Sequence, residues 1–455
     1  MSGSMVGLFS RIFHEGAPTS GGLAIVDLPP EQHVIQGVGT KIENGVVVVI
    51  PPLHHRVVTL RLTVRPEPAP LAEARKRLER VLADLDRGNP PTPAGLSVTV
   101  GWGLPYFRRF VPGPAARLLP VDERASAARG ERTLAILDSI RFPSDPDDLI
   151  LEANEVAVLM RSDAPEHIAL ATEALFEADH DFWERTSVRD GFVGGEGIGL
   201  PKQRALEAGI PGADRIPDGA ELFMGFTSSQ KAALGSDRIA NFETIPGATD
   251  QWPDGYFRYG TTMHLSHLFE DLEGWYGSLT YEERVARAIR PGLDVAPGTL
   301  TVPEGPAQVQ GEREVERDLA DLGVVGHSAA LQPATRLATD VIDNYGTFQP
   351  QGSAVPQRAD FCTLDDPFAW SSDPERDRMA DGPRAGLHFV VFTPTSDGFH
   401  RGRMAMDGRY ADGSSLPIDA LDRRQGLNAF LRTTHRQNFL VPPRAHRSFP
   451  LSELL

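Results

Sequence analysis

The chain predicts an α+β fold, and three observations predict it. Short β-branched runs alternate with amphipathic helical stretches; the first half reads strand, helix, strand, strand, helix; and the second half repeats the mixture. Residues 1–55 hold Gly and Pro clusters and one β-rich run, Val46–Ile50, and are expected as an extension packed on the first domain. From Arg56 on, Val57, Thr59, Arg61 and Thr63 interleave with Val58, Leu60, Leu62 and Val64, which predicts a strand. Leu71, Ala74, Leu78, Val81, Leu82 and Leu85 recur at three- and four-residue steps, a helix that Gly88 and the prolines at 90, 91 and 93 end. Leu96–Val100 and Leu149–Met160 read as strands, and His167–Phe176 as a second helix. In the second half, Glu221–Phe226, Thr261–His267 and Gly386–Phe392 read as strands and Leu427–Thr433 as a helix. Thr280 and Glu283 form a capping box for a helix running to about Ile289. The spans 201–219, 291–311 and 349–382 are rich in turn residues and are expected as loops of a length that often covers sites. The division is then 1–55 extension, 56–200 N-terminal module and 201–455 C-terminal module.

Bulk composition narrows the function. Of 455 residues, 24% are charged and 40% hydrophobic, as in a soluble globular chain. A formal charge of -17 argues against nucleic acid or an anionic membrane surface as partner. The one cysteine, Cys362, excludes an intrachain disulfide and any multi-cysteine zinc or iron–sulfur site. Apolar runs are too short to span a bilayer, and the N-terminus lacks a charged-then-apolar secretory pattern, so a cytoplasmic location is expected.

Among thirteen histidines, most need no chemical explanation. His264 and His267, with Glu270 and Glu273, have metal-like spacing, but in a strand residues three apart point to opposite faces. His327 stands among small apolar residues, Val324-Val325-Gly326-His327-Ser328-Ala329-Ala330-Leu331, where a neutral imidazole can ligate haem iron. By local context alone, a hydrogen-bonded core or helix-start histidine is the plainer reading. Gly194-Gly195-Glu196-Gly197-Ile198-Gly199-Leu200-Pro201 presents one ionisable group, Glu196, on a tight turn, as a general acid/base needs. A flexible turn is the alternative. A phosphate loop is excluded by the missing Lys-Ser/Thr.

Several segments in order resemble the dye-decolourising peroxidase family from about Arg56 onward. They are Val98–Gly103, Glu196–Pro201, Asp218–Phe226, His267–Arg290, Gly326-His327, Asp343–Phe348, Gly386–Phe392 and Phe439–Pro443. The resemblance implies two ferredoxin-like modules with antiparallel sheets, and haem b held mainly in the C-terminal one. It also implies His327 as the iron ligand, Ile342 and Phe389 at the cofactor, and Glu196 and Asn344 as catalytic residues. The family's partners would be hydrogen peroxide and small organic substrates, with self-association.

Two departures stand out. The family's aspartate aligns with Glu196, or in another register with Gly194, and its arginine aligns at or beside the uncharged Ile342. Glutamate can move the proton of a bound peroxide, but isoleucine cannot stabilise developing charge. Asn344, Gln332 or Arg336 are candidates to compensate. Two alternatives to peroxidase chemistry therefore stay open: a peroxide-independent haem enzyme performing dehydration or N–O chemistry on an iron-bound substrate, and a haem carrier or sensor.

Overall fold

The computed structural model describes residues 28–177, 181–195, 197–227, 248–302, 311–337, 339–342, 346, 348, 349, 351, 353–379 and 382–455. A hairpin of β1 (Thr40–Glu43) and β2 (Val46–Val49) comes first. The first module then runs β3 (His54–Leu62), α1 (Pro68–Gly88), β4 (Ser97–Trp102), β5 (Ile150–Leu151), β6 (Val156–Ser162), α2 (Pro165–Thr172) and β7 (Trp183–Phe192). Its strands pair antiparallel in the order β7-β3-β6-β4. In α1, Leu71, Ala74, Leu78 and Leu82 are buried on the stripe that the three- and four-residue spacing predicted.

After helix α3 (Leu200–Glu207), the second module runs β8 (Thr261–Glu270), α4 (Tyr281–Ala288), α5 (Glu312–Leu322) and α6 (His327–Thr335). Short strands follow: β9 (Val341–Ile342), β10 (Phe348–Gln349), β11 (Gln357–Arg358), β12 (Phe361–Thr363) and β13 (Trp370–Ser371). β14 (Gly386–Thr393), α7 (Ser396–Met406) and β15 (Leu431–Val441) complete it. Its main strands pair antiparallel in the order β12-β14-β8-β15. Both modules thus have the ferredoxin-like strand order, as the sequence analysis expected.

The modules close on each other into one barrel. β12 meets β7 at Cys362 and Phe192, and β15 meets β4 at Leu440 and Trp102. Val57, Leu159, Met263, Leu265, Phe361, Val390, Phe392 and Phe439 fill the interior. Strands buried on both faces read as continuous apolar runs, which is why β3 shows Val57 inward and Val58, Leu60 and Leu62 against the helices. The extension joins both modules and does not pack on the first alone. The Gln32 side chain donates to Val100 and Pro442 carbonyls and accepts from the Val100 amide (3.3, 2.7 and 2.9 Å), while Asn44 donates to the Thr301 carbonyl at 2.9 Å.

The expected strands, helices and loops need correction at several places. β7 was not foreseen, because its barrel-facing side carries Ser187 and Arg189, hiding the alternation. Glu221–Phe226 forms bends and turns, and 201–219 contains α3. Leu427–Thr433 is a short 3-10 turn, Asn428–Phe430, leading into β15. In β15 the run Thr433–Asn438 is polar and wholly buried, so no hydrophobic period marks it. Among the described residues, no helix is long and apolar enough to cross a membrane.

Arg436 of β15 ties the modules together, donating to Asp145 at 2.5 and 2.8 Å with both side chains 1% exposed. Arg436→Met should cost up to about 3–5 kcal/mol in denaturant unfolding, because it leaves the buried Asp145 carboxylate with only the Phe142 amide at 2.7 Å and the more distant Arg403 at 3.6 Å. Adding Asp145→Leu should recover much of that loss; equal midpoints for wild type and the single variant would refute the ion pair.

Candidate functional site

The outer face of the second module does not close fully against its helices. Between β8, β14 and β15 on one side and α6 and α7 on the other lies a cavity of about 320 Å³, within the range of small-molecule sites. Alternate residues reach it from each strand: Ser266, Leu268 and Glu270 from β8, and Leu387, Phe389 and Val391 from β14. On β15, Leu431 and Thr433 face the cavity, and the register then shifts between Thr433 and His435. That bulge reverses the parity, turning Arg436 to the cavity and His435 into the barrel. The opposite wall includes Ser328, Leu331, Phe399 and Met406.

His327 lines this cavity as the first residue of α6. Gly326 before it is required by close approach: a Cβ there would stand 2.3 Å from the Ile289 carbonyl oxygen. The same carbonyl accepts from the Ala329 amide at 3.1 Å, anchoring the helix start to the end of α4. The His327 side chain makes no hydrogen bond or ion pair with any described residue. Burial, reinforced by the charges of Arg358 and Arg403, pushes its pKa down to about 3, so the imidazole is neutral.

Opposing charges sit across the cavity. Arg358 of β11 grips Asp360 through Nε at 2.9 Å and a shorter contact from Nη2; both residues line the cavity, and the Asp360 side chain is 1% exposed. Glu270, at the end of β8, is buried with Oε2 unpaired. Burial first, and the Asp360 charge second, lift its pKa to about 8. Glu221 is lifted to about 7, again chiefly by burial. Arg336, Arg401, Arg403 and Arg124 also line the cavity.

The site residues expected from sequence fare differently. His327 and Phe389 come together in the cavity. Ile342 does not: it is 55% exposed on β9, paired with Phe348, and is absent from the cavity wall. Glu196 and Asn344 lie outside the described residues. Gly194 is held by its amide to the Glu221 carbonyl at 2.8 Å, and a Cβ there would meet the Ala220 carbonyl oxygen at 2.2 Å. Of the candidates to compensate for the missing arginine, Arg336 lines the cavity and Gln332 does not. His264 and His267 point to opposite faces, as expected. His264 bonds Asn438 and Ser266 and stacks on Phe399, while His267 bonds Thr434. No cluster of three or more metal-ligating side chains is present among the described residues.

Sequence reasoning missed Arg358, Asp360 and Glu270. Arg358 and Asp360 sat in a span taken for a loop. Glu270 was seen only as part of the rejected histidine constellation.

Buried neutral imidazoles set the acid limit of the fold. Burial holds His33 and His55 at about 3, as it does His327. Each binds a proton in the unfolded chain below about 6.5 but not in the folded one, so stability is full above that pH and falls toward pH 3. The expected slope is about 1.4 kcal/mol per pH unit for each such group. Urea midpoints should therefore drop between pH 7 and 5; midpoints that stay level would show these rings to be solvated.

A family model described as a family of unknown function, DUF7405, matches residues 52–343 and 375–443, so Arg358 and Asp360 fall between the matched stretches. No curated protein matches the chain. Among solved structures, it resembles a DyP-type peroxidase from Cellulomonas bogoriensis at TM-score 0.50 and 19% identity, covering 91% of this chain and 95% of that one. Ferric DtpA from Streptomyces lividans gives 0.51 and 18%, covering 90% and 93%. A dye-decolorizing peroxidase from Bacteroides thetaiotaomicron gives 0.50 and 14%, covering 91% and 98%. At such identities the likeness shows the fold: two ferredoxin-like modules joined as in the DyP-type peroxidases. Within that fold, by the extent of its match, the chain belongs to the DUF7405 family.

Proposed function

We propose that the protein is a haem-dependent oxidoreductase that holds haem b in the cavity of its C-terminal module, 201–455, and uses peroxide to oxidise small organic molecules. The observation that carries this reading is His327: a neutral imidazole with no hydrogen-bond partner among the described residues, facing a largely apolar cavity in a DyP-type fold. A nitrogen donor of this kind suits haem iron without competition from protons. The residues fit the rest of the group as well. Leu268, Leu331, Leu387, Phe389 and Phe399 offer apolar contact, and the lining arginines suit carboxylate side chains. Ile342 has no part in this.

When bound, haem b would supply an iron centre that takes oxidising equivalents from peroxide. The chain's own residues do the remaining work. Arg358 provides the cation that the sequence seemed to lack, fixed in place by Asp360. Glu196 stays the proposed acid/base on the glycine-rich turn and Asn344 a proposed positioning residue. The turn's link to Glu221 supports Glu196, because the adjacent Leu222, Met224 and Phe226 line the cavity. A peroxide-independent haem enzyme is the second reading. It is favoured by the Asp360 carboxylate, which offsets the Arg358 charge that cleavage of a bound peroxide would draw on.

Titration of the purified chain with haemin should reach saturation with a sharp Soret band at one haem per chain. Peroxide should then drive dye oxidation. Absence of a Soret band would overturn both readings; a band without peroxide turnover, shifted by an organic oxime or hydroxylamine, would favour the second.

A further inference from the structure

The cavity wall contains a carboxyl group that none of the foregoing roles uses. Glu270 ends β8, on the same face as Ser266 and Leu268, and its Oε2 has no hydrogen-bond partner although the residue is only 7% exposed. An ionised carboxylate left so would carry a large desolvation cost. The groups around it offer no relief. Asp360 and Cys362 face it from the segment around β12, and Tyr276 from the helix over 272–277; no cation acts on it. Asp360 has Arg358 for a counter-ion, and Glu270 has none. Of the two carboxyl groups in this wall, Glu270 is the one left without a cation, and burial favours its protonated form.

We infer that Glu270 is the hydrogen donor of the cavity and binds a small acceptor ligand, a peroxide or a singly charged anion, through its carboxyl O–H. The inference rests on the haem reading and extends it from the cofactor to what binds beside it. A neutral acid suits this task because it offers a proton without adding a negative charge that would repel the ligand. Deprotonation at higher pH reverses both properties, removing the donor and adding the repulsion.

Azide binding to the haem-loaded protein, followed by the Soret shift, tests this. In the wild type, Kd should rise by about tenfold per pH unit above about 8, the linkage of one proton. Glu270→Gln keeps a donor but cannot lose a proton, and should remove one proton's share of that slope while keeping tight binding at pH 7. Glu270→Leu should weaken azide at pH 7 by about ten- to a hundredfold, the loss of a hydrogen bond to a charged group. Identical slopes in wild type and Glu270→Gln, with haem fully loaded in both, would overturn the inference while leaving the haem reading intact. A second measurement does not need haem. The infrared difference between wild-type and Glu270→Gln apoprotein should contain the carbonyl band of a protonated carboxyl at pH 7 and lose it at pH 10. Absence of that band at pH 7 overturns the inference, whereas a wild type that takes up no haem overturns the proposed function.

Discussion

His327→Ala should abolish the Soret band of the reconstituted protein while leaving its circular dichroism unchanged. Alanine is a better helix former than histidine, and position 327 is the first residue of α6, so the helix should survive. Outer partners of metal ligands are commonly worth about 10–100-fold in affinity, and loss of the ligand itself should exceed that. Free imidazole added to the variant should restore part of the band, since the cavity retains its apolar walls. The pH dependence follows from the same side chain. With its pKa pushed down to about 3, His327 stays unprotonated through the range where an exposed histidine would titrate. Haem retention should accordingly be level from pH 8 down to the onset of acid unfolding, not falling near pH 6.5. An unaltered Soret band in His327→Ala would remove the foundation of the haem reading.

Arg358→Leu should have the next largest effect, lowering peroxide-dependent turnover about 100- to 1000-fold with haem still bound. Arg358 acts on His327 through its charge and lines the same cavity. The substitution also strands Asp360, whose side chain is 1% exposed, at about 3–5 kcal/mol of stability. Two companions separate these effects. Arg358→Lys keeps the charge but loses the two-pronged grip on Asp360, and should retain stability better than turnover. Arg358→Leu with Asp360→Leu should refold to near wild-type stability yet stay inactive. Activity in that double variant would show that Arg358 is a scaffold for Asp360 and nothing more.

Much of the fold was legible because it follows from short-range pattern. The stripe in α1, the capping box at Thr280 and Glu283, and the apolar runs of β3, β6 and β14 all repeat at the period of their element. β7 and the first part of β15, up to Asn438, escaped notice because a barrel interior carrying Arg189, His435 and Gln437 shows no apolar alternation; only the apolar end of β15, from Phe439, was marked, by its family resemblance. Of the residues proposed for the site, His327 and Phe389 line one cavity. It was misread at Ile342, where a family position was expected to supply the cavity wall but the chain runs outward in a short exposed ribbon.

The order of residues alone therefore determined the α+β class and the placing of most helices and strands, because each depends on near neighbours in the chain; His327 was singled out by a family resemblance, since its neighbours alone suit a core histidine equally well. Tertiary structure alone decided that Arg358 and Glu270 share a cavity with His327, and that a bulge in β15 turns Arg436 toward it. The reason is physical. Whether a buried charge is paired, protonated or free depends on the groups that folding brings beside it: Asp145 reaches Arg436, and Asp360 reaches Glu270, only once segments distant in the chain lie together.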